Sequence, residues 1–167
     1  MGQREHRQRA ASNIGCAVLT VSDTRGEAQD SSGRRIREKL EAAGHRIIHY
    51  RIVPDEPWAI GWALQEWCVD EAVAAVLVNG GTGIARRDCT PETVESLLER
   101  RLDGFGERFR SHSQEQVGSA AYLSRAVAGV RNSTIIYALP GSGRAVELAL
   151  DALVLPEIGH IVSELRK

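Results

Sequence analysis

The chain lacks three features that mark whole classes of protein: a long apolar segment, a large net charge and closely spaced cysteines. No apolar run approaches the ~18–20 residues that a membrane-spanning helix needs. The formal net charge is −1, which gives no general reason to expect binding to nucleic acid or to an anionic membrane. The three cysteines stand far apart without a C-x-x-C pair, which argues against a structural zinc site and a disulfide scaffold. We therefore expect a cytoplasmic protein without nucleic-acid or membrane partners.

The composition is typical of a globular domain with a full core. The chain has 167 residues, of which 43% are hydrophobic and 26% charged, and this length fits one domain. Residues 1–13 are polar and rich in arginine, so we expect a flexible tail there and a single domain over residues 14–167. A targeting or partner-binding arm is the alternative for the tail.

Apolar, β-rich segments alternate along the chain with segments of helical periodicity. The predicted strands cover residues 14–22, 45–53, 74–78, 127–130 and 134–139. The predicted helices cover residues 31–43, 57–71, 91–99 and 107–113, with a tight turn at 104–106 and two closing helices divided near Pro156. This order predicts an α/β fold of three layers: a mostly parallel sheet with helices on both faces and an antiparallel hairpin added late.

The third predicted strand runs directly into the glycine-rich sequence GGTG at residues 80–83. Glycines let backbone N–H groups face an anion without a Cβ in the way. Asp88 follows, and an acid at that place can hold a divalent metal against the same anion. Thr90 is then expected to cap the next helix. The combination indicates phosphate chemistry.

This loop departs from the two best-known phosphate-binding motifs. No Gly-Lys-Ser/Thr follows it, as a Walker A loop requires. Arg86 stands where the third glycine of a dinucleotide-binding fingerprint belongs. The motif therefore predicts a phosphate site without naming the ligand.

Four polar loops follow predicted strands, at residues 22–26, 54–57, 80–88 and 140–143. In open parallel sheets, ligands bind beyond the carboxyl ends of the strands, at a topological switch point. We therefore expect the four loops to converge on one pocket. The residues expected in it are Ser22, Asp23, Asp55, Thr82, Asp88 and Ser142.

These residues also have purely structural interpretations. Residues 80–83 could form only a tight turn, Asp88 could begin an Asx-type turn, and Asp55 could cap the helix after it. Arg86 and Arg87 could bind phosphate or be solvated.

Cys89 and three tryptophans are predicted to be structural. Cys89 has no histidine near it in sequence, which favours a small space-filling role over a nucleophile. Trp58, Trp62 and Trp67 lie on one predicted helix, which favours the core or a subunit interface over a base-stacking platform.

Seven motifs, in order, cover nearly everything after the tail. They are TVSDTRG (20–26), DSSG (30–33), VPDE (53–56), NGGTGIARRDCTPE (79–92), GFGERFR (104–110), LSRAVAGV (123–130) and LPGS (139–142). With these motifs, the chain resembles the MoaB/MogA family of molybdenum cofactor biosynthesis proteins, which is related to the G domain of gephyrin.

The resemblance implies a molybdopterin-binding fold that assembles as trimers or hexamers. Active members of the family are adenylyltransferases that use molybdopterin and Mg-ATP. The terminal phosphate of the pterin attacks the α-phosphate of ATP, which gives adenylylated molybdopterin and pyrophosphate. A molybdate-inserting protein is the expected recipient of this product.

The resemblance also implies site residues, position by position. The two acids that are essential in the active branch match Asp55 and Asp88, which are thereby implied as catalytic residues and Mg²⁺ ligands. The implied substrate- and phosphate-binding residues are Ser22, Asp23, Gly80, Gly81, Thr82, Gly83, Thr90, Glu107, Ser124, Arg125, Pro140, Gly141 and Ser142.

Two branches of the family fit the sequence. Residues 30–33 and 124–129 match the B-type branch, some of whose members lack both acids and are inactive, and Asp103 stands where adenylyltransferases often carry a proline. The alternatives are therefore an adenylyltransferase and a non-catalytic molybdopterin-binding carrier. A third is a hydrolase of pyrophosphate bonds, because a related domain of competence-damage-type proteins shares this fold.

Overall fold

The computed structural model describes residues 11–167 and contains one six-stranded sheet with the order β2-β1-β3-β6-β5-β4. Strands β2, β1, β3 and β6 are parallel, and β5 runs antiparallel to both of its neighbours. The strands are β1 Gly15–Val21, β2 Arg46–Val53, β3 Ala75–Asn79, β4 Arg100–Arg101, β5 Val127–Arg131 and β6 Thr134–Leu139. The predicted α/β class and the late β5–β6 hairpin are confirmed. Strand β4 was not predicted, because two charged residues carry no periodicity.

Six helices surround the sheet in the described part of the chain. They are α1 Ser31–Ala42, α2 Pro57–Trp67, α3 Thr90–Leu97, α4 Asp103–Val117, α5 Gly143–Ala149 and α6 Leu155–Leu165. A π-helical turn, Leu150–Val154, joins α5 to α6, so the two closing helices divide just before Pro156, as predicted. No helix within residues 11–167 has the length and apolar character that crossing a membrane requires.

The predicted tight turn at residues 104–106 is wrong, because α4 begins at Asp103 and runs through it. The glycines there serve packing instead of a turn. A Cβ on Gly106 would lie 2.6 Å from the carbonyl oxygen of Ala126, so only glycine lets the helix approach β5 this closely. Phe109, one turn later, is fully buried and anchors the same helix.

Alternate residues of the central strands belong to two separate hydrophobic cores. On β1, Cys16 and Val18 pack with the layer of α1, α4, α5 and α6, whereas Ala17 and Leu19 pack with α2 and α3. A strand covered on both faces has a continuous apolar sequence, which is the pattern that predicted β1.

The tryptophans of α2 divide between core and surface. Trp67 is buried in the core between the sheet and helices α2 and α3, as predicted. Trp58 and Trp62 are 72% and 71% exposed, one helical turn apart.

The described end of the predicted tail contacts the last helix. The Ala11 N–H donates to the carbonyl oxygen of Gly159 at 3.0 Å and to Ser163 Oγ at 2.9 Å. The rest of the tail, residues 1–10, lies outside the described residues.

A buried carboxylate joins α1 to the first two strands. Asp30 is fully buried and accepts hydrogen bonds from Thr20 Oγ1 (2.6 Å), the Tyr50 hydroxyl (2.7 Å) and the Gly33 N–H (2.9 Å), the last of which caps α1. Asn79 Nδ2 donates to the same Thr20 hydroxyl at 2.9 Å. Because Asn79 is the last residue of β3, this network ends at the residue that immediately precedes the glycine loop.

We expect Asp30→Ala to lower the free energy of unfolding by about 3 kcal/mol, because it leaves two hydroxyl donors without their acceptor and removes a helix cap. Urea denaturation measures the loss. Asp151→Ala is the control, since its exposed ion pair with Lys39 contributes less than about 1 kcal/mol. Equal losses in the two variants would contradict the role of Asp30.

Candidate functional site

A cleft of about 650 Å³ lies at the carboxyl edge of the parallel strands. The loops after β1, β2, β3 and β6 form its walls, so the structure brings together the four loops that the sequence predicts to converge. Its lining residues are Val21, Ser22, Asp23, Thr24, Arg25, Asp55, Gly80, Gly81, Thr82, Gly83, Asp88, Leu123, Ser124, Pro140 and Gly141. Strand β1 has β2 on one side and β3 on the other, so the chain first passes from β1 to β2 and then crosses to the opposite side of β1 to form β3. The cleft therefore lies at the topological switch point of the sheet.

The glycine loop packs closely against its surroundings. Gly80 and Gly81 have φ angles of 102° and 64°, in the left-handed region. A Cβ on Gly80 would lie 2.3 Å from the carbonyl oxygen of Val21. One on Gly81 would lie 2.4 Å from Thr90 Oγ1 and 2.8 Å from Asp55 Oδ1. Both positions therefore require glycine.

The same loop offers free backbone donors. The Gly80 N–H donates to the carbonyl oxygen of Leu139 at 3.0 Å, which continues the ladder between β3 and β6. The N–H groups of Gly81, Thr82 and Gly83 have no acceptor among residues 11–167, although all three residues line the cleft. Successive free N–H groups of this kind can bind an anion such as a phosphate.

Asp55 lies half-buried between the glycine loop and the start of α3. Its Oδ1 accepts from the Cys89 N–H and from Cys89 Sγ, each at 3.4 Å. Burial raises the pKa of Asp55, and the carboxylates of Asp88 and Asp23 raise it further, against the hydrogen bonds from Cys89. The alternative role as a helix cap is wrong, because Glu56 occupies the cap position of α2 and no side chain caps that helix.

Asp88 has one carboxylate oxygen committed to its own loop. Asp88 Oδ2 accepts from the Ala85 N–H at 2.8 Å, so the alternative of a local turn is present. Within the described chain, Oδ1 accepts no hydrogen bond, and the residue lines the cleft. The turn therefore holds the carboxylate in place while one oxygen stays available to a ligand.

The two acids fit a magnesium ion that is shared with a phosphate ligand. Carboxylate oxygens are the donors that this hard cation prefers, and Mg²⁺ usually takes one or two carboxylates and completes its shell with substrate phosphates and water. No group of three or more candidate metal-ligating side chains occurs in the part of the chain that the structure describes. Asp55 and Asp88 are thus sufficient for Mg²⁺ only together with a phosphate ligand.

Arg87 is exposed, in line with the solvated alternative, and it forms ion pairs that the sequence did not predict. Its Nε and Nη2 donate to the Asp23 carboxylate at 2.8 and 3.0 Å, and Nη2 also donates to Glu56 at 3.1 Å. The Asp55 N–H donates to Asp23 as well, at 3.0 Å. These bonds hold the pKa of Asp23 below its usual range. The pair ties the glycine loop to the loops after β1 and β2.

Four residues that the resemblance places at the site do not line the cleft. Thr90 is buried behind Gly81, as the first residue of α3 and not its cap, and Glu107 is exposed on α4. Ser142 Oγ instead accepts from the Ala145 N–H at 3.3 Å and caps α5. The Arg125 guanidinium contacts the backbone of the glycine loop.

Leu123 and Arg25 line the cleft and lie within the quoted motifs, but they are not among the predicted site residues. Leu123 lines it from a 3₁₀ turn, Gly118–Leu123, which carries no helical periodicity. Arg25 lines it from the loop after β1 and supplies a positive charge. Cys89, by contrast, agrees with its predicted structural role: burial, with help from the Asp55 carboxylate, raises the pKa of its thiol to about 11. A thiol that stays protonated at neutral pH is a poor nucleophile.

The similarity to known proteins extends over all the residues that line the cleft. Residues 17–160 match the family described as a probable molybdopterin binding domain. The molybdenum cofactor biosynthesis protein B of Bacillus subtilis is 48% identical over 168 residues, which covers 100% of this chain and 99% of the relative. A crystal structure of a molybdenum cofactor biosynthesis protein B superposes with a TM-score of 0.91 at 45% identity, covering 93% of this chain and 97% of that one. The tungsten cofactor synthesizing protein MoaB from Pyrococcus furiosus superposes with a TM-score of 0.86 at 37% identity, covering 95% and 100%.

Proposed function

This chain belongs to the molybdopterin-binding family of molybdenum cofactor biosynthesis proteins, and from that premise we propose that it is a molybdopterin adenylyltransferase. One observation carries the proposal: Asp55 and Asp88 both line the cleft, beside a glycine loop with free N–H groups. A protein that only binds and carries the pterin needs no pair of acids, and acids next to an anion site would weaken its affinity.

The reaction that we propose joins two phosphate-bearing molecules. An oxygen of the terminal phosphate of molybdopterin forms a bond to the α-phosphorus of ATP, and the bond from that phosphorus to the bridging oxygen breaks as pyrophosphate leaves. Catalysis of such a step is mainly alignment and charge neutralisation. Mg²⁺ held by Asp55 and Asp88 would neutralise charge on the phosphates.

The other groups of the chain position the substrates. The free N–H groups of Gly81, Thr82 and Gly83 bind phosphate oxygens, and the N-terminus of α3 adds a favourable dipole beside Asp55. Ser22, Ser124 and the turn at Pro140 also line the cleft, and we assign to them the contacts with the pterin and the adenine.

Transfer of the labelled α-phosphate of ATP tests the proposal. The protein is incubated with molybdopterin, Mg²⁺ and ATP labelled at the α-phosphate, and the products are separated. Label on the pterin supports adenylylation. Retained pterin binding without transfer indicates a carrier, and ATP cleavage that needs no pterin indicates a hydrolase. Either of the last two results contradicts the proposal.

The exposed tryptophans of α2 lead us to propose a homo-oligomer. Separately, the proposed reaction implies that the adenylylated pterin is passed on to a molybdate-inserting protein. Trp58 and Trp62 form a large apolar patch on one helix face, and exposed patches of this kind mark interfaces. Whether the assembly is a trimer or a hexamer follows from its mass in solution.

We expect the double variant Trp58→Glu, Trp62→Glu to be monomeric, because charges cannot be buried in an apolar interface without a partner. Size-exclusion chromatography with light scattering measures the mass. Val117→Glu, at an exposed apolar position on α4, is the control and keeps the wild-type mass. An unchanged mass in the double variant would place the interface elsewhere.

A further inference from the structure

Arg125 donates hydrogen bonds to both ends of the segment 83–88, which follows the glycines of the loop and is mostly exposed. Its Nε donates to the carbonyl oxygen of Gly83 at 2.8 Å, and its Nη2 donates to that of Asp88 at 3.0 Å. The Arg125 N–H donates to the carbonyl oxygen of Thr82 at 3.2 Å. The third arm, Nη1, pairs with the Glu92 carboxylate in the first turn of α3.

The segment that Arg125 spans has few other ties. Residues 83–87 are exposed, and the bonds from Ala85 and Asp88 to one another stay inside the segment. Within residues 11–167, the other hydrogen bonds and ion pairs that tie the segment to the rest of the protein come from the exposed Arg87, which donates to Asp23, to Glu56 and to the carbonyl oxygen of Asp55. A single guanidinium thus fixes the distance between the start of the segment and the acid at its end.

We infer that Arg125 is a positioning residue that holds Asp88 in register with the free N–H groups of the glycine loop. The catalytic consequence rests on the proposed function, whereas the structural consequence does not. A planar guanidinium can donate to two carbonyl oxygens and a carboxylate at once, with fixed angles between its arms. A lysine has a single nitrogen, so it cannot reproduce the fork with which the guanidinium reaches the two carbonyl oxygens from separate nitrogens.

Trypsin provides a direct structural readout, because Arg86 and Arg87 lie inside the clamped segment. In Arg125→Gln we expect cleavage after these residues to be about tenfold faster or more, since two charge-assisted bonds that resist local opening are lost. Intact-mass analysis identifies the cut. Arg101→Gln is the control: Arg101 lines a neighbouring pocket together with Arg125 and pairs with Glu95 and Asp103, with no hydrogen bond or ion pair to residues 83–88, so its cleavage rate stays near wild type.

The Mg²⁺ dependence of adenylyl transfer gives the functional readout. We expect Arg125→Gln to need about ten times more Mg²⁺ for half-maximal rate, the usual scale for loss of a residue that orients a metal ligand. Arg125→Lys should restore part of that shift, and Arg101→Gln should leave it unchanged. A merely structural role would lower the amount of active protein without moving the Mg²⁺ midpoint.

Two results would overturn the inference. One is a trypsin cleavage rate in Arg125→Gln equal to that of wild type and Arg101→Gln. The other is a weaker affinity for ATP or molybdopterin with an unchanged Mg²⁺ midpoint, which would make Arg125 a substrate contact. If the wild-type protein transfers no adenylyl group, the proposed function fails, while the trypsin experiment still tests the clamp.

Discussion

Asp88→Asn is expected to lower the rate of adenylyl transfer by about a thousandfold, the scale on which a preorganised electrostatic group contributes to phosphoryl and acyl transfer. The fold of the loop should survive, because an asparagine oxygen can still accept the Ala85 N–H that Asp88 Oδ2 accepts at 2.8 Å. Only the negative charge that we propose to hold Mg²⁺ is lost. Single-turnover transfer with labelled ATP measures the rate.

Binding and a control variant separate this effect from damage to the site. Molybdopterin affinity, followed by fluorescence, should stay within about threefold of wild type, because the residues that we assign to pterin binding are unchanged. Asp103→Asn removes a carboxylate from the exposed start of α4, outside the cleft, and should leave the rate unchanged. A wild-type rate of adenylyl transfer in Asp88→Asn would contradict the catalytic role of Asp88.

Gly80→Ala is expected to lower the free energy of unfolding by about 3 kcal/mol or more, because it combines backbone strain with a clash. The φ angle of Gly80 is 102°, which L-residues rarely adopt, and its Cβ would lie 2.3 Å from the carbonyl oxygen of Val21. Either β1 or the glycine loop must move, and both form walls of the cleft. Urea denaturation measures the stability, and we expect the adenylyl-transfer activity to fall with it.

A second glycine provides the matched control. Gly104 lies in α4, and a Cβ there would have no atom within 4 Å. Gly104→Ala should therefore raise the free energy of unfolding by about 0.5–1 kcal/mol, the ordinary helix preference for alanine. Equal stability of Gly80→Ala and wild type would show that the loop tolerates a Cβ and that its glycines are not required.

Much of the fold could be predicted because the central strands are buried on both faces. The apolar sequence of β1 and the turn residues after β6 indicate their elements locally. Local signals fail where tertiary packing decides. The glycines of residues 104–106 resemble a turn but allow close packing of α4, and the two charged residues of β4 pair with β5 without any apolar pattern.

The site could be predicted as far as backbone topology determines it. Loops that follow parallel strands meet at one edge, so the convergence of Asp55 with Asp88 was predictable. The ion pairs and clamps within the site were not. Arg87 and its partner Asp23 are 64 positions apart in the sequence, and Arg125 and Gly83 are 42 positions apart. The partners of such long side chains depend on distances in the folded structure, and no periodic pattern in the sequence indicates them.

The stoichiometry of pyrophosphate release tests the central claim most directly. Wild-type protein is given ATP labelled at the α-phosphate, Mg²⁺ and a limiting amount of molybdopterin, and both products are counted in the same reaction. We expect one pyrophosphate for each labelled pterin, and none when molybdopterin or Mg²⁺ is omitted. Pyrophosphate release without molybdopterin, or bound molybdopterin that never acquires label, would contradict an adenylyltransferase built on Asp55 and Asp88.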